Sequence, residues 1–259
     1  MKLNRQKKQK NKGFSYIYGN HAVYAAISNP RRKHQKLFVN KNQKKNLSET
    51  ITNLIPEVNE LSNQEMYKMF GNEMNHQGIV LRTSPLNQPN LEDVIYSSNN
   101  KTSDIIVCLD QVTDPNNIGS IMRSCALFNC KTIIVSKDNA PNITPTLTKA
   151  ASGALEVVNY ISVVNLSRTI IQLKKNNYWI YGCESEKKNN NENLNLPKKC
   201  VIVFGSEGRG LRNLTKKECD DLIALPFNPK TNYGIDSLNV SNACSIALYE
   251  HYIQHFKKT

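Results

Sequence analysis

Two stretches of this chain, Ile105–Leu109 and Val201–Phe204, are apolar at every position. A strand with no polar face has no side to offer to water, so it belongs in a sheet covered on both faces. Lys131–Val135, Tyr178–Tyr181 and Ile223–Leu225 continue the series. Helical segments fall between these strands. The segment 118–128 carries Ile118, Ile121, Met122 and Cys125 on one face, and 145–152, 166–176 and a terminal 241–256 follow. Strands alternating with helices predict an α/β domain built on a parallel, doubly covered sheet.

The region before residue 85 reads as a smaller α/β module. A turn at Tyr18-Gly19-Asn20-His21 leads into a helix whose Val23, Ala26 and Ile27 share a face, and Pro30 ends it. Leu37–Val39 is a short strand, 47–55 and 63–69 are helical, and Gly78–Leu81 is a closing strand. Pro85 and Asn87-Gln88-Pro89-Asn90 mark a linker. The organisation expected is a disordered basic arm at 1–13, a small domain at 14–84, a linker at 85–90 and a large domain at 91–259. A chain of 259 residues accommodates this without metal or disulfide support.

Charge is distributed unevenly. Thirteen Lys or Arg, from Lys2 to Lys45, precede the first acidic residue, Glu49, and the remaining 21 basic residues balance 21 acidic ones. The whole net charge of +13 therefore sits in the first fifth of the chain. A one-ended basic block points to a polyanion, and to nucleic acid before membrane. Arg31, Arg32, Lys33 and Lys36 lead directly into the Leu37 strand, so part of this charge belongs to folded structure.

Seven cysteines, with no Cys-x-x-Cys pair, argue against a disulfide framework and against zinc. Cys108, Cys125, Cys130, Cys200 and Cys244 lie in or beside apolar runs and read as small buried hydrophobes in a reducing compartment. No apolar run has transmembrane length, and the basic N-terminus lacks a signal-peptide core. The expectation is a cytoplasmic protein with no membrane partner and no metal.

Three turn-forming clusters adjoin the strands of the large domain. Asp114-Pro115-Asn116-Asn117 opens the helix at 118, with Asn116 or Asn117 as its expected cap. Gly205-Ser206-Glu207-Gly208-Arg209-Gly210 follows the Val201 strand. Its glycines reverse the dinucleotide fingerprint and no Gly-Lys-Ser/Thr follows, so neither a nicotinamide site nor a Walker loop is indicated. Glycines here let backbone approach a ligand or adopt positive φ. Ser237-Leu238-Asn239-Val240-Ser241 precedes the terminal helix and contains its cap, Asn239 or Ser241. Each cluster alone is explained by local structure.

Together they resemble the three motifs of the SpoU/TrmH family of RNA ribose 2′-O-methyltransferases. Asn117-Ile118-Gly119 with Arg123 four residues on, the Gly205–Gly210 loop, and Ser237–Ser241 match in order and chemistry. This resemblance covers 104–259. More faintly, Tyr18–Val23 and His76–Val80 resemble the small, ribosomal-protein-like substrate-binding module of the bacterial 23S rRNA guanosine-2′-O-methyltransferase branch. The resemblance implies a SPOUT fold whose C-terminal part threads a trefoil knot, an exception to the no-knot rule. It implies S-adenosyl-L-methionine as methyl donor, contacted by Gly205, Gly208, Leu225 and Leu238. It also implies a homodimer acting on RNA, with Arg123, Asn117, Glu207, Ser237 and Asn239 around the reacting ribose.

An arginine is a poor base, so Arg123 is expected to bind phosphate and stabilise alkoxide charge, with Glu207 the better proton acceptor. Ser237 and Asn239 are expected to supply hydrogen bonds near the ribose. The span 226–237 is longer than usual for the family, and its Lys230 and Tyr233 either touch RNA or belong to a longer loop. The substrate expected is a guanosine of 23S rRNA. Two alternatives stand beside it: the same chemistry on tRNA, and a non-catalytic RNA-binding assembly factor.

Overall fold

The computed structural model describes residues 13–71, 75–99, 101–138, 140–184, 194–225 and 237–257. The basic arm before Gly13, most of the polar 186–195 loop, and Lys230 and Tyr233 lie outside the described residues. Two compact units divide between Asn87 and Gln88.

The N-terminal unit runs β1 (Ser15–Tyr18), α1 (Asn20–Ile27), β2 (His34–Val39), α2 (Lys41–Lys45), α3 (Glu49–Asn53), β3 (Val58–Glu60), α4 (Asn63–Phe70) and β4 (Ile79–Thr83). Its sheet has the order β1-β4-β2-β3, with β4 antiparallel to both β1 and β2, and β3 parallel to β2. Strand alternation separates two small cores. Ile17, Leu37, Val39, Ile79 and Leu81 pack with Val23, Ala26 and Ile27 of α1. Tyr18, Phe38 and Val80 pack with Met66 of α4. The start of α4 is set by a capping box between Ser62 and Glu65. Glu49–Asn53 is shorter than the helix expected at 47–55, and β1, β3 and α2 are additional elements.

The second unit runs α5 (Leu91–Ser98), β5 (Asp104–Asp110), α6 (Pro115–Leu127), β6 (Thr132–Ser136), α7 (Pro145–Ala150), β7 (Asn159–Val163), α8 (Leu166–Lys174), β8 (Trp179–Glu184), β9 (Lys199–Gly205), α9 (Asn213–Glu218), β10 (Asp221–Ala224) and α10 (Val240–Phe256). Six strands pair in the order β10-β8-β9-β5-β6-β7, all parallel. The apolar runs are buried on both faces, as their composition requires. Ile105, Val107, Leu109, Ile202 and Phe204 face a core shared with α6, α7 and α10. Ile106, Cys108, Val201 and Val203 face one shared with α5 and α8. Three elements escape the apolar-run pattern. β7 is an edge strand in which half-buried Asn159 and exposed Ser162 interrupt the apolar run. α5 puts Leu91, Val94 and Ile95 on one buried face but spans only eight residues, and α9 spans six.

All seven cysteines are free, and among the described residues no cluster of His, Cys, Asp or Glu could hold a metal ion. No helix among them is long and apolar enough to cross a membrane.

Candidate active site

Each of the three turn clusters is positioned at the C-terminal end of a strand or the N-terminal end of a helix, for local reasons. Pro115 fits only the first turn of a helix, so the cap of α6 falls on the residue before it. Asp114 Oδ1 accepts the Asn116 N–H at 3.0 Å. This corrects the expectation that Asn116 or Asn117 caps the helix, and it leaves the Asn117 side chain available for another partner. Gly119 is required by packing: a Cβ there would lie 2.4 Å from Ala150 Cβ and 2.7 Å from the Ala150 carbonyl carbon, where α7 crosses α6.

The glycine loop folds back on itself. Ser206 and Gly210 form an isolated antiparallel bridge, with Gly210 N–H donating to the Ser206 carbonyl at 2.9 Å. A Cβ on Gly205 would lie 2.1 Å from the Gly210 carbonyl carbon, so this glycine is needed to close the loop. Gly208 is different: its φ is +81° and the space beside it is open. The exit of the loop is pinned by fully buried Asp110 at the end of β5. Its Oδ1 accepts from Arg212 Nε at 2.7 Å, and its Oδ2 accepts from Arg212 N at 3.1 Å and from Thr215 Oγ1 at 2.7 Å.

Asn239 is the cap of α10. Its Oδ1 accepts from Ser241 N at 2.9 Å and from Ser241 Oγ at 2.6 Å. Because the backbone N–H must face the oxygen, the amide nitrogen of Asn239 must face the other way. There Nδ2 donates to Asn117 Oδ1 at 3.1 Å and to Glu207 Oε1 at 2.5 Å. Asn117 Nδ2 donates to the same Glu207 oxygen at 3.1 Å. One residue from each cluster thus meets the other two. Asn239 has no bonding position left over, whereas Glu207 Oε2 has no partner among the described residues.

Glu207 also lines a cavity of about 350 Å³ at the C-terminal ends of β8, β9 and β10. Its walls are the Gly205–Gly210 loop, Cys183 and Glu184, Leu225, and Ser237, Leu238, Val240 and Ala243. Ligands in open α/β sheets bind outside the carboxyl ends of the strands, the side on which this cavity lies. Burial pushes the Cys183 thiol up to about 12, so it is a neutral wall group and no nucleophile.

Among the residues singled out from sequence, Asn117, Glu207 and Asn239 are joined by hydrogen bonds, and Gly205, Gly208, Leu225, Ser237 and Leu238 line the cavity. Arg123 is not in its wall. It is exposed on α6, six residues and about 9 Å of helix rise beyond Asn117. Glu184 was not anticipated, because Gly182 and the charge of Glu184 itself end the apolar signal after Tyr181.

The chain is similar to known proteins along most of its length. The SpoU rRNA Methylase family matches residues 104–249, and the family described as RNA 2′-O ribose methyltransferase substrate binding matches residues 16–89. The 23S rRNA (guanosine-2′-O-)-methyltransferase RlmB of Coxiella burnetii is 38% identical over 241 residues, spanning 90% of this chain and 93% of that protein. An uncharacterized tRNA/rRNA methyltransferase of Synechocystis is 34% identical over 257 residues, and the chain spans 64% of its length. The SpoU methyltransferase AviRb of Streptomyces viridochromogenes, solved in complex with AdoMet, shares the fold with a TM-score of 0.75 at 18% identity, covering 99% of this chain and 96% of that one.

Proposed function

The chain belongs to the SpoU rRNA methylase family, and from that premise we propose that it transfers a methyl group from S-adenosylmethionine to the ribose 2′-hydroxyl of a guanosine in 23S rRNA. The observation that carries this is the meeting of Asn117, Glu207 and Asn239, one from each motif, at the rim of a glycine-walled cavity.

The cavity suits the cofactor chemically. Phe204, Leu225, Leu238, Val240 and Ala243 give apolar walls for an adenine, and the loop brings backbone polar groups close. Gly205, Gly208, Leu225 and Leu238 are assigned to holding it. When bound, S-adenosylmethionine supplies an electrophilic methyl on its sulfonium. The protein must then align the 2′-oxygen and manage its proton. Glu207 Oε2 is the open acceptor, oriented because Oε1 is held by two amides. Asn239, saturated within the protein, positions Glu207. Ser237, at the cavity edge, is the hydroxyl assigned to the ribose. Arg123 is assigned to the neighbouring phosphate and to the charge developing on the 2′-oxygen.

The N-terminal unit is the RNA reader, since a 2′-hydroxyl carries no base identity and a separate surface must choose the nucleotide. A homodimer belongs to the same proposal. Leu127 of α6 and Ile246 and Tyr249 of α10 are 74%, 41% and 47% exposed on two helices that pack together, an apolar face suited to a second copy. A knot in the C-terminal part of the second unit and a cytoplasmic setting belong to the same proposal.

The test is transfer of tritiated methyl to unmodified total RNA, followed by mapping of the product. Label on a 23S rRNA guanosine ribose is expected. Label on tRNA alone moves the substrate assignment, and no label on any RNA leaves a binding protein.

A further inference from the structure

Glu184 ends β8 and projects into the wall of the cavity. Its two carboxylate oxygens are in different situations. Oε2 lies 2.6 Å from Lys216 Nζ on α9. Oε1 is buried and finds no donor among the described residues. A methyl placed on Gly210 would lie 3.8 Å from that oxygen, which puts Oε1 beside the end of the glycine loop. A buried carboxylate oxygen without a donor is costly, and the cost is removed when a ligand donor sits against it.

We propose that Glu184 is an anchor for the adenosyl ribose: its Oε1 accepts a hydrogen bond from a ribose hydroxyl of the cofactor, while Lys216 holds the carboxylate in place. The inference rests on the reading that this cavity takes S-adenosylmethionine. Three features of the site select a hydroxyl donor. The Lys216 ammonium already balances the carboxylate, so a second cation such as the methionyl ammonium gains little there. The neighbouring wall is apolar at Phe204 and Leu225, which suits the flat base and leaves the polar group to the sugar. An acidic side chain near a strand end, close to a glycine loop, is also a recurring solution for binding ribose hydroxyls in open parallel sheets.

Glu184 therefore acts on cofactor affinity and selectivity, and takes no part in the transfer step. The experiment is calorimetric binding of S-adenosylhomocysteine and of its 2′-deoxy and 3′-deoxy analogues to the full chain, to Glu184→Ala and to Glu184→Met. Methionine fills the space of the glutamate stem, and Lys216, 31% exposed, is free to turn to water in either variant. The wild type is expected to bind at least one deoxy analogue roughly ten- to hundredfold more weakly than the parent. The variants are expected to bind the parent correspondingly more weakly and to lose that discrimination. Unchanged parent affinity in a folded variant overturns the inference, as does a wild type indifferent to both missing hydroxyls. If the wild type binds the parent but Glu184 proves irrelevant, only this inference fails. If it binds none of the three compounds, the cofactor assignment fails with it.

Discussion

In the proposed reaction Asn239 positions Glu207 and does not touch substrate. Its oxygen is committed to Ser241, and its nitrogen to Asn117 and Glu207. Glu207 is thereby left with one oriented, open oxygen. Residues that act as one network give non-additive losses. Asn117→Ala and Glu207→Ala are each expected to lower single-turnover methyl transfer by on the order of a hundredfold, as for loss of an oriented group at a site of developing charge. The double variant should be little worse than Glu207→Ala alone, and multiplied losses would show that the two act independently. Arg123 lies outside the cavity wall and should behave differently. Arg123→Lys keeps the charge and loses the planar fork, so transfer at saturating RNA should fall on the order of a hundredfold while cofactor affinity and thermal midpoint stay put. Near-normal turnover in both Arg123→Lys and Arg123→Ala would make it an ordinary surface arginine.

At the scale of the element, two glycines in one loop serve different ends. Gly205 has no room for a side chain, because Gly210 and Leu211 backbone occupies the space. Gly208 has room but an unfavourable φ of +81° for any other residue. Gly205→Ala should cost about 3 kcal/mol in denaturant unfolding, at the upper end of overpacking losses. Gly208→Ala should cost ~1 kcal/mol, the penalty of left-handed backbone. Equal costs would mean that the loop is looser than its geometry. The same logic explains Gly119, which the motif requires because α7 crosses α6 at that point.

At the scale of the whole molecule, charge and burial set two responses to solution conditions. The basic residues near the N-terminus lie ahead of every acid. Phosphate contacts position a protein without choosing a base. Deleting residues 2–12 should therefore flatten the salt dependence of RNA binding and leave the methylated nucleotide unchanged. A change of position would assign the arm a role in selection. His251 on α10 is fully buried. Burial, reinforced by the neighbouring His255 ring, lowers it from 6.5 to about 4, against a smaller opposing effect of the Pro197 and Lys198 carbonyls and Asp104. The unfolded chain thus binds the extra proton first as pH falls. Stability is fully present above pH 6.5 and declines as the pH drops towards 4. Thermal midpoints should follow this slope, and His251→Leu should reduce it; an identical slope in the variant would assign the pH dependence elsewhere.

The strands β5 and β9 were legible because a run apolar at every position has only one stable setting, between two covered faces. The three motif clusters were legible because turns and caps are local chemistry. The edge strand β7, the short helices α5 and α9, and the end of β8 were not, because each apolar stretch is too brief or too interrupted to register as a pattern. From the sequence, the family resemblance grouped Asn117, Glu207 and Asn239 as an expected site. Tertiary structure decided how: Pro115 moved the cap of α6 to Asp114 and released Asn117, and sheet order brought residues 90 and 122 positions apart into hydrogen-bond distance. Glu184 carries the same lesson, since nothing local distinguishes it. Only the packing of β8 against α9, beside the glycine loop, turns an ordinary glutamate into a buried acceptor facing a cavity.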